Sequence, residues 1–301
     1  MMSYLYQGKK CAPTVWMYEC GGRLANRLFR WGYFLGDAIE NGYTVIQQEP
    51  LPHNLIPDRH KDSQSVLQCL DAEQLRKLGF EEPRCYRLYQ KISGARFFKP
   101  VNRSLGIIDL RSRRYPQAKH YLLAGQEFKA LLDRSGQLAV FGYAFRAKPQ
   151  LLKNLNVVKA LFGFTGIQGT GATVQRGESL IGVHVRRGDY AGYNGGKYFY
   201  ELDYYRELAN QLSTELNAKA IMFCSESSDR AYFIDQGYAV GSADPVEDLH
   251  LLAQSQYIVG PPSTFSLWSA LMGESRIHQL YEPAKELHAH DFRRVSEEIM
   301  P

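Results

Sequence analysis

The sequence predicts an α/β protein of two domains, and three observations lead there. A length of 301 residues exceeds one typical core and suits two domains of roughly 120–150 residues each. The N-terminal stretch reads as strand, glycine turn, helix and strand. The C-terminal half alternates apolar strand-like runs with helical patterns, the order of a doubly wound parallel sheet. The domains are placed at residues 1–165 and 166–301, and two lobes imply a cleft.

Each element has its own signal. VWMYEC (15–20) is a short apolar run closed by Gly21-Gly22. Beyond it Leu24, Leu28, Trp31, Leu35 and Ala38 recur at helical spacing until Asn41-Gly42. YTVIQQ then gives the second strand of a β-α-β unit. Residues 50–135 carry scattered prolines and one helical candidate, DAEQLRKLGF, and LAVFGYAF (138–145) reads as a single strand closing the first lobe. The glycine-rich run 162–178 reads as a connection. The second lobe then reads LIGVHV (strand), YYRELANQLSTEL (helix), AIMFCSE (strand), VEDLHLLAQS (helix), QYIVGPPS (strand) and TFSLWSALMG (helix).

Composition excludes several classes. With 45% hydrophobic and 13% aromatic residues the chain is globular, not disordered. No run approaches the ~18 apolar residues of a spanning helix, and the opening lacks a signal-peptide core, so a cytoplasmic address is expected. The five cysteines show no CxxC spacing and suggest neither a disulfide framework nor a zinc site. The net charge of +5 is uneven: Arg84, Arg87, Lys91, Arg96, Lys99, Arg103, Arg111, Arg113, Arg114 and Lys119 are opposed only by Asp109. Such a stripe suits a solvated face, peripheral contact with an anionic membrane or an acidic acceptor. No nucleic-acid module pattern accompanies it, so nucleic acid is not expected as a partner.

Three sequences carry chemistry, each at the carboxyl end of an expected strand, where open α/β sheets bind ligands. His184-Val185-Arg186-Arg187-Gly188-Asp189-Tyr190 sets two guanidinium forks, matched to phosphate oxygens, at a cleft rim, with Asp189 able to orient one of them. A salt-bridged surface turn is the plainer reading. In Gly260-Pro261-Pro262-Ser263-Thr264-Phe265, Ser263 or Thr264 caps a helix whose first turn offers N–H groups to an anion, although an ordinary proline turn and N-cap would look the same. Gly21-Gly22-Arg23-Leu24-Ala25-Asn26 allows close backbone approach and supplies an amide for a phosphate or sugar hydroxyl. It lacks the third glycine of a dinucleotide fingerprint and any GK[ST], which argues against NAD and P-loop readings.

GGRLANRLF, HVRRGDY and STFSLW, in that order, resemble the three hallmark segments of the GDP-fucose-dependent α-1,2-fucosyltransferases, and more distantly those of α-1,6- and protein O-fucosyltransferases. The resemblance implies a GT-B fold of two facing Rossmann-like domains with a cleft between them. The C-terminal domain would hold the GDP-sugar and the N-terminal one would lie on the acceptor side. It also implies an inverting, metal-independent reaction in which Arg187 grips the diphosphate, Ser263, Thr264 and Phe265 close around it, and Asn26 faces the donor. Gly21, Gly22, Arg23, His184 and Arg186 are carried into the donor site by the same segments. Where the family has Ser-Asp-Asp after the next strand, this chain has Ser225-Glu226-Ser227. Glu226 is therefore the candidate for the guanine edge or ribose, with a solvated loop glutamate as the alternative. Asp248 matches a family acid, and could equally be a helix-start charge.

The reading that follows is transfer of fucose from GDP-fucose to a galactose hydroxyl, α-1,2, on an oligosaccharide or glycolipid acceptor. No cofactor is expected: no Asp-x-Asp occurs, so a metal-diphosphate bridge has no obvious ligands. Asp189 is the first candidate for the general base, and Glu201 or Asp203 the second. The alternatives are another nucleotide-sugar transferase of the same architecture and a catalytically silent anion-binding protein.

Overall fold

The computed structural model describes residues 3–8, 12–18, 22–48, 51, 55, 68–81, 101–102, 107–109, 122–123, 125–142, 145–164, 179–284 and 286–301. Gly21, the ten basic residues between Arg84 and Lys119, and most of the 162–178 connection lie outside them. The chain divides into two compact units, Met1–Gly163 and Phe164–Pro301.

The first unit is built on a seven-stranded sheet. Its strands are β1 (Ser3–Tyr6), β2 (Thr14–Met17), β3 (Thr44–Gln47), β4 (Gln68–Leu70), β5 (Val101–Asn102), β6 (Ile107–Asp109) and β8 (Gln137–Phe141), in the order β4-β1-β3-β2-β8-β6-β5. β7 (Leu122–Leu123) and β9 (Phe145–Arg146) form a separate pair. The four central strands are parallel, and β1, β4 and β5 add antiparallel edges. The expected β-α-β unit is present: β2 and β3 pair in parallel, Val15 opposite Val45, and α1 (Leu24–Asn41) joins them. α1 ends because Gly42 adopts φ +69° and donates its N–H to the Ala38 carbonyl at 2.8 Å. Within α1, a Cβ on Gly36 would lie 2.7 Å from the Leu151 nitrogen. Glycine is thus what lets the helix backbone meet the short helix Lys148–Lys153.

The run 138–145 is not one strand. Gly142 turns the chain at φ +81°, so β8 stops at Phe141 and Phe145 begins β9 in the second sheet. Phe145 then stacks on Phe34 of α1 at 4.0 Å between ring centroids. The helix expected in DAEQLRKLGF runs from Ala72 to Lys77. Asp71 accepts from the Glu73 and Gln74 N–H groups, and the Gln74 side chain accepts from the Asp71 N–H, which is a capping box.

Arg30 on α1 is only 1% exposed and donates to the carbonyls of Tyr18 and Val140 at 2.6 and 2.8 Å. Its guanidinium ties together the ends of two parallel strands. Asp37, equally buried, accepts from Tyr43 and Asn41 at 2.9 Å each, and burial pushes its carboxyl up to about 6.

The second unit has six strands: β10 (Leu180–Val185), β11 (Lys219–Cys224), β12 (Ala239–Val240), β13 (Tyr257–Gly260), β14 (Arg276–Gln279) and β15 (Arg293–Arg294). Their order is β12-β11-β10-β13-β14-β15, parallel except for β15. Helices Leu202–Glu215, Ser227–Asp235, Pro245–Leu252 and Thr264–Gly273 connect them. Every residue of β10 is buried, as expected of a central parallel strand covered on both faces. The chain starts at β10, winds outward through β11 and β12, then returns to β13 on the other side of β10. The sheet therefore reverses between β10 and β13, the place where doubly wound sheets open a crevice for ligands. β12, β14 and the helix 227–235 were not expected from the sequence, because each is short or lacks a clear apolar period.

Candidate functional site

Two of the three motif segments lie at this reversal point. β10 ends at Val185, so Arg186 and Arg187 follow directly; β13 ends at Gly260, so Pro261, Pro262 and Ser263 do likewise. The two strands approach closely there. A Cβ on Gly260 would lie 2.5 Å from the His184 carbonyl oxygen.

The two arginines are held by different partners. Arg186 forms a fork with Asp189, Nε to Oδ1 at 3.2 Å and Nη2 to Oδ2 at 3.0 Å. Its Nη1 donates to the Ser263 hydroxyl at 3.0 Å, and its guanidinium lies over the Tyr190 ring at 4.5 Å. Tyr190 in turn donates its hydroxyl to the Pro262 carbonyl. Arg187 lies over Phe199 at 4.6 Å and bonds Asp229 at 3.3 Å and Glu201 at 3.2 Å. These single contacts leave part of the five-donor fork for a ligand. Arg187 Nε, Asp229 Oδ2 and His184 Nδ1 are all buried with no hydrogen-bond partner among the described residues. Buried polar atoms are ordinarily paired, so these three retain capacity for a polar ligand.

Ser263 caps the helix Thr264–Gly273 by accepting from the Phe265 N–H at 3.2 Å. That helix has no acidic residue in its first turn, so its positive end is not neutralised locally. Ser263 thus joins the helix start to Arg186, and an anion seated at Thr264 would meet the helix's positive end and a guanidinium together.

His184 is 5% exposed, with its ring 5.3 Å from that of Phe265. Burial first, and then the Arg186 charge, push its pKa down to about 3. The unfolded state binds the proton near 6.5, so the stability owed to neutral His184 is present above that pH and is lost as pH falls toward 3. Asp229 and Asp248 are raised by burial and act in the opposite sense, so the effect is read as a difference. The melting temperature of the natural protein should fall more steeply than that of His184→Gln between pH 6.5 and 4. Parallel pH profiles would contradict it.

The other sequence candidates are distributed around this centre. Glu226 lies against Gly188, where a Cβ would come within 2.1 Å of its Oε1. Asp248 is 6% exposed and accepts from the Ser242 N–H at 2.6 Å and the Ser242 hydroxyl at 3.2 Å, closing the turn after β12. Of the second-choice bases, Glu201 is occupied by Arg187. Asp203 accepts from the Tyr232 hydroxyl at 2.6 Å and pairs with Arg206 at 3.1 Å. In the first unit Gly22 adopts φ +81° with Asn26 folded against it: a Cβ there would lie 2.6 Å from Asn26 Nδ2. Arg23 occupies the N-cap position of α1 without a side-chain cap bond. Asp229 escapes the sequence reading, since it stands inside a helix that the sequence does not announce. Among the described residues no group of three His, Cys, Asp or Glu side chains converges on a metal position, and no helix is long and apolar enough to cross a membrane.

Residues 162–294 match the sequence model of Glycosyl transferase family 11. Comparison with curated protein sequences finds no match. Among solved structures, a mutant of Arabidopsis thaliana FUT1 in complex with GDP is similar over 98% of this chain and 76% of its own, with a TM-score of 0.53 and 12% identity. POFUT1 in complex with GDP-fucose matches 89% of this chain and 96% of its own at a TM-score of 0.44 and 10% identity, too remote to carry an argument. The first likeness shows the fold, and the motifs HVRRGDY and STFSLW both fall inside the matched sequence. Residues 162–294 are thus similar to glycosyl transferase family 11, and the two α/β units share the GT-B fold of the GDP-bound Arabidopsis structure.

Proposed function

We propose that the chain transfers fucose from GDP-fucose to a galactose hydroxyl of an oligosaccharide or glycolipid, with inversion, giving an α-1,2 linkage and needing no metal. The observation that supports this most is the joining of Arg186 to the capping Ser263 at the sheet's reversal point, with Arg187 alongside and its Nε unpaired. The Arabidopsis structure of the same fold holds GDP, and the family match covers the unit that carries these residues.

In this reading the diphosphate sits between Arg187 and the N–H group of Thr264 at the start of the helix Thr264–Gly273. As the C1–O bond lengthens, negative charge grows on the β-phosphate oxygen. Fixed guanidinium and amide donors then stabilise the transition state more than the bound substrate, an electrostatic effect that usually dominates such catalysis. The acceptor hydroxyl attacks from the opposite face and loses its proton to a carboxylate. Asp189 is the first candidate; its double contact with Arg186 gives it a second role, holding that guanidinium against Ser263. Glu226 and Asp248, beyond β11 and β12, would take the nucleoside end.

Calorimetric titration with GDP-fucose, GDP-mannose and UDP-galactose, with and without EDTA, tests this donor site. GDP-fucose should bind in EDTA with undiminished affinity and the uridine donor should not bind. Binding restored only by magnesium or manganese would remove the metal-free mechanism, and preference for UDP-galactose would remove the donor.

A further inference from the structure

We propose that Tyr193, Tyr198 and Tyr281 form an aromatic platform on which the acceptor sugar stacks; this rests on the transferase reading above. A run of ring contacts leads outward from Arg186. Tyr190 is 5.3 Å from Tyr193, Tyr193 is 6.2 Å from Tyr198, and Tyr198 is 6.3 Å from Tyr281. Tyr190, buried beneath the Arg186 guanidinium, anchors this run to the phosphate seat. Tyr193 is 51% and Tyr281 56% exposed. Two exposed rings drawn from separate segments, after β10 and after β14, and joined through Tyr198, form a surface rather than a scatter.

The backbone holds this surface in place. Asn194, Gly195 and Gly196 all have positive φ, at +49°, +67° and +81°, and so turn the loop between Tyr193 and Tyr198 back on itself. A non-glycine residue held in the left-handed region is a small cost that tight function-bearing loops retain. The Lys197 ammonium rests over the Tyr198 ring at 5.5 Å.

The position decides the occupant. The carboxylates suited to a base edge, Glu226 and Asp248, lie on the β11 and β12 side of the reversal point. Tyr281 follows β14, on the opposite side, and the helix N-terminus after β13 lies between. A donor with its diphosphate at Arg187 and its nucleoside toward the carboxylates leaves the tyrosine side for the group that receives the sugar. Tyrosine suits that role: its ring face accepts the C–H face of a pyranose, and its hydroxyl bonds the sugar's own hydroxyls.

Saturation-transfer NMR with lactose, N-acetyllactosamine and cellobiose, run beside GDP calorimetry, tests the platform. The unaltered protein should give ring-face contacts to at least one galactoside, and the doubly substituted Tyr193→Ala, Tyr281→Ala protein should weaken that binding about tenfold. GDP affinity should stay within about twofold, and Ile234→Ala, an exposed apolar residue on the helix 227–235, should change neither. A fall in GDP affinity with the galactoside signal intact would place the nucleoside on these rings and overturn the proposal. So would an unchanged galactoside signal, or none from the unaltered protein. Loss of the transferase reading shows separately, as failure of the unaltered protein to bind GDP.

Discussion

Arg187→Ala should lower kcat for fucose transfer by roughly 10²–10³, with folding spared. The side chain is 18% exposed and reaches the crevice over Phe199, with one bond each to Asp229 and Glu201. Removing it deletes a charge and a fork of donors where negative charge develops. It also leaves Asp229, whose carboxyl burial already raises, without its guanidinium. Arg187→Lys should recover only part of the rate, because an ammonium keeps the charge without the paired geometry. Arg186→Ala should behave differently. Arg186 links Asp189, Ser263 and Tyr190, so its removal should lower the melting temperature as well as the rate. Steady-state kinetics beside thermal unfolding separates the two. A near-normal kcat in Arg187→Ala with ordinary GDP affinity would shift the phosphate anchor to the amides after Ser263.

Gly260→Ala should destabilise the C-terminal unit by about 1–3 kcal/mol and abolish donor binding in the protein that remains folded. The added methyl would meet the His184 carbonyl oxygen at 2.5 Å and the His184 Cβ at 2.9 Å. Both belong to β10 or its backbone, so no flexible side-chain end can move aside. Relief requires β10 and β13 to separate at the point where Arg186 reaches Ser263. The melting temperature should fall by about 2–4 °C per kcal/mol for a chain of this size. An unchanged melting temperature with intact GDP binding would show that the strands have slack and that the crevice does not depend on their close approach.

The parallel core was legible because buried strands announce themselves: LIGVHV is buried at every position and YIVG at all but its first. The helix starting at Leu24 showed its apolar stripe, and Gly42 its stop. The helix 227–235 was hidden because only Asp229 and Phe233 of its residues are buried, which leaves no stripe to read. That gap concealed Asp229, the buried partner of Arg187. The strand expected over 138–145 breaks because its apolar residues run on through Gly142, whose positive φ sends the chain into another sheet. The motifs placed Arg186 and Arg187 at a strand end, but only the folded chain assigns Asp189 to the first and Asp229 to the second. The tyrosine run was invisible for a similar reason, since Tyr281 reaches Tyr198 only through the sheet order.

Fucose transfer from GDP-fucose is tested most directly by following GDP release in EDTA with a panel of galactosides as acceptors, and assigning the product linkage by NMR. GDP and a fucosylated galactoside should appear in equal amounts, with the new bond α-linked. Turnover of UDP-galactose or GDP-mannose, with GDP-fucose left intact under every acceptor, would contradict it.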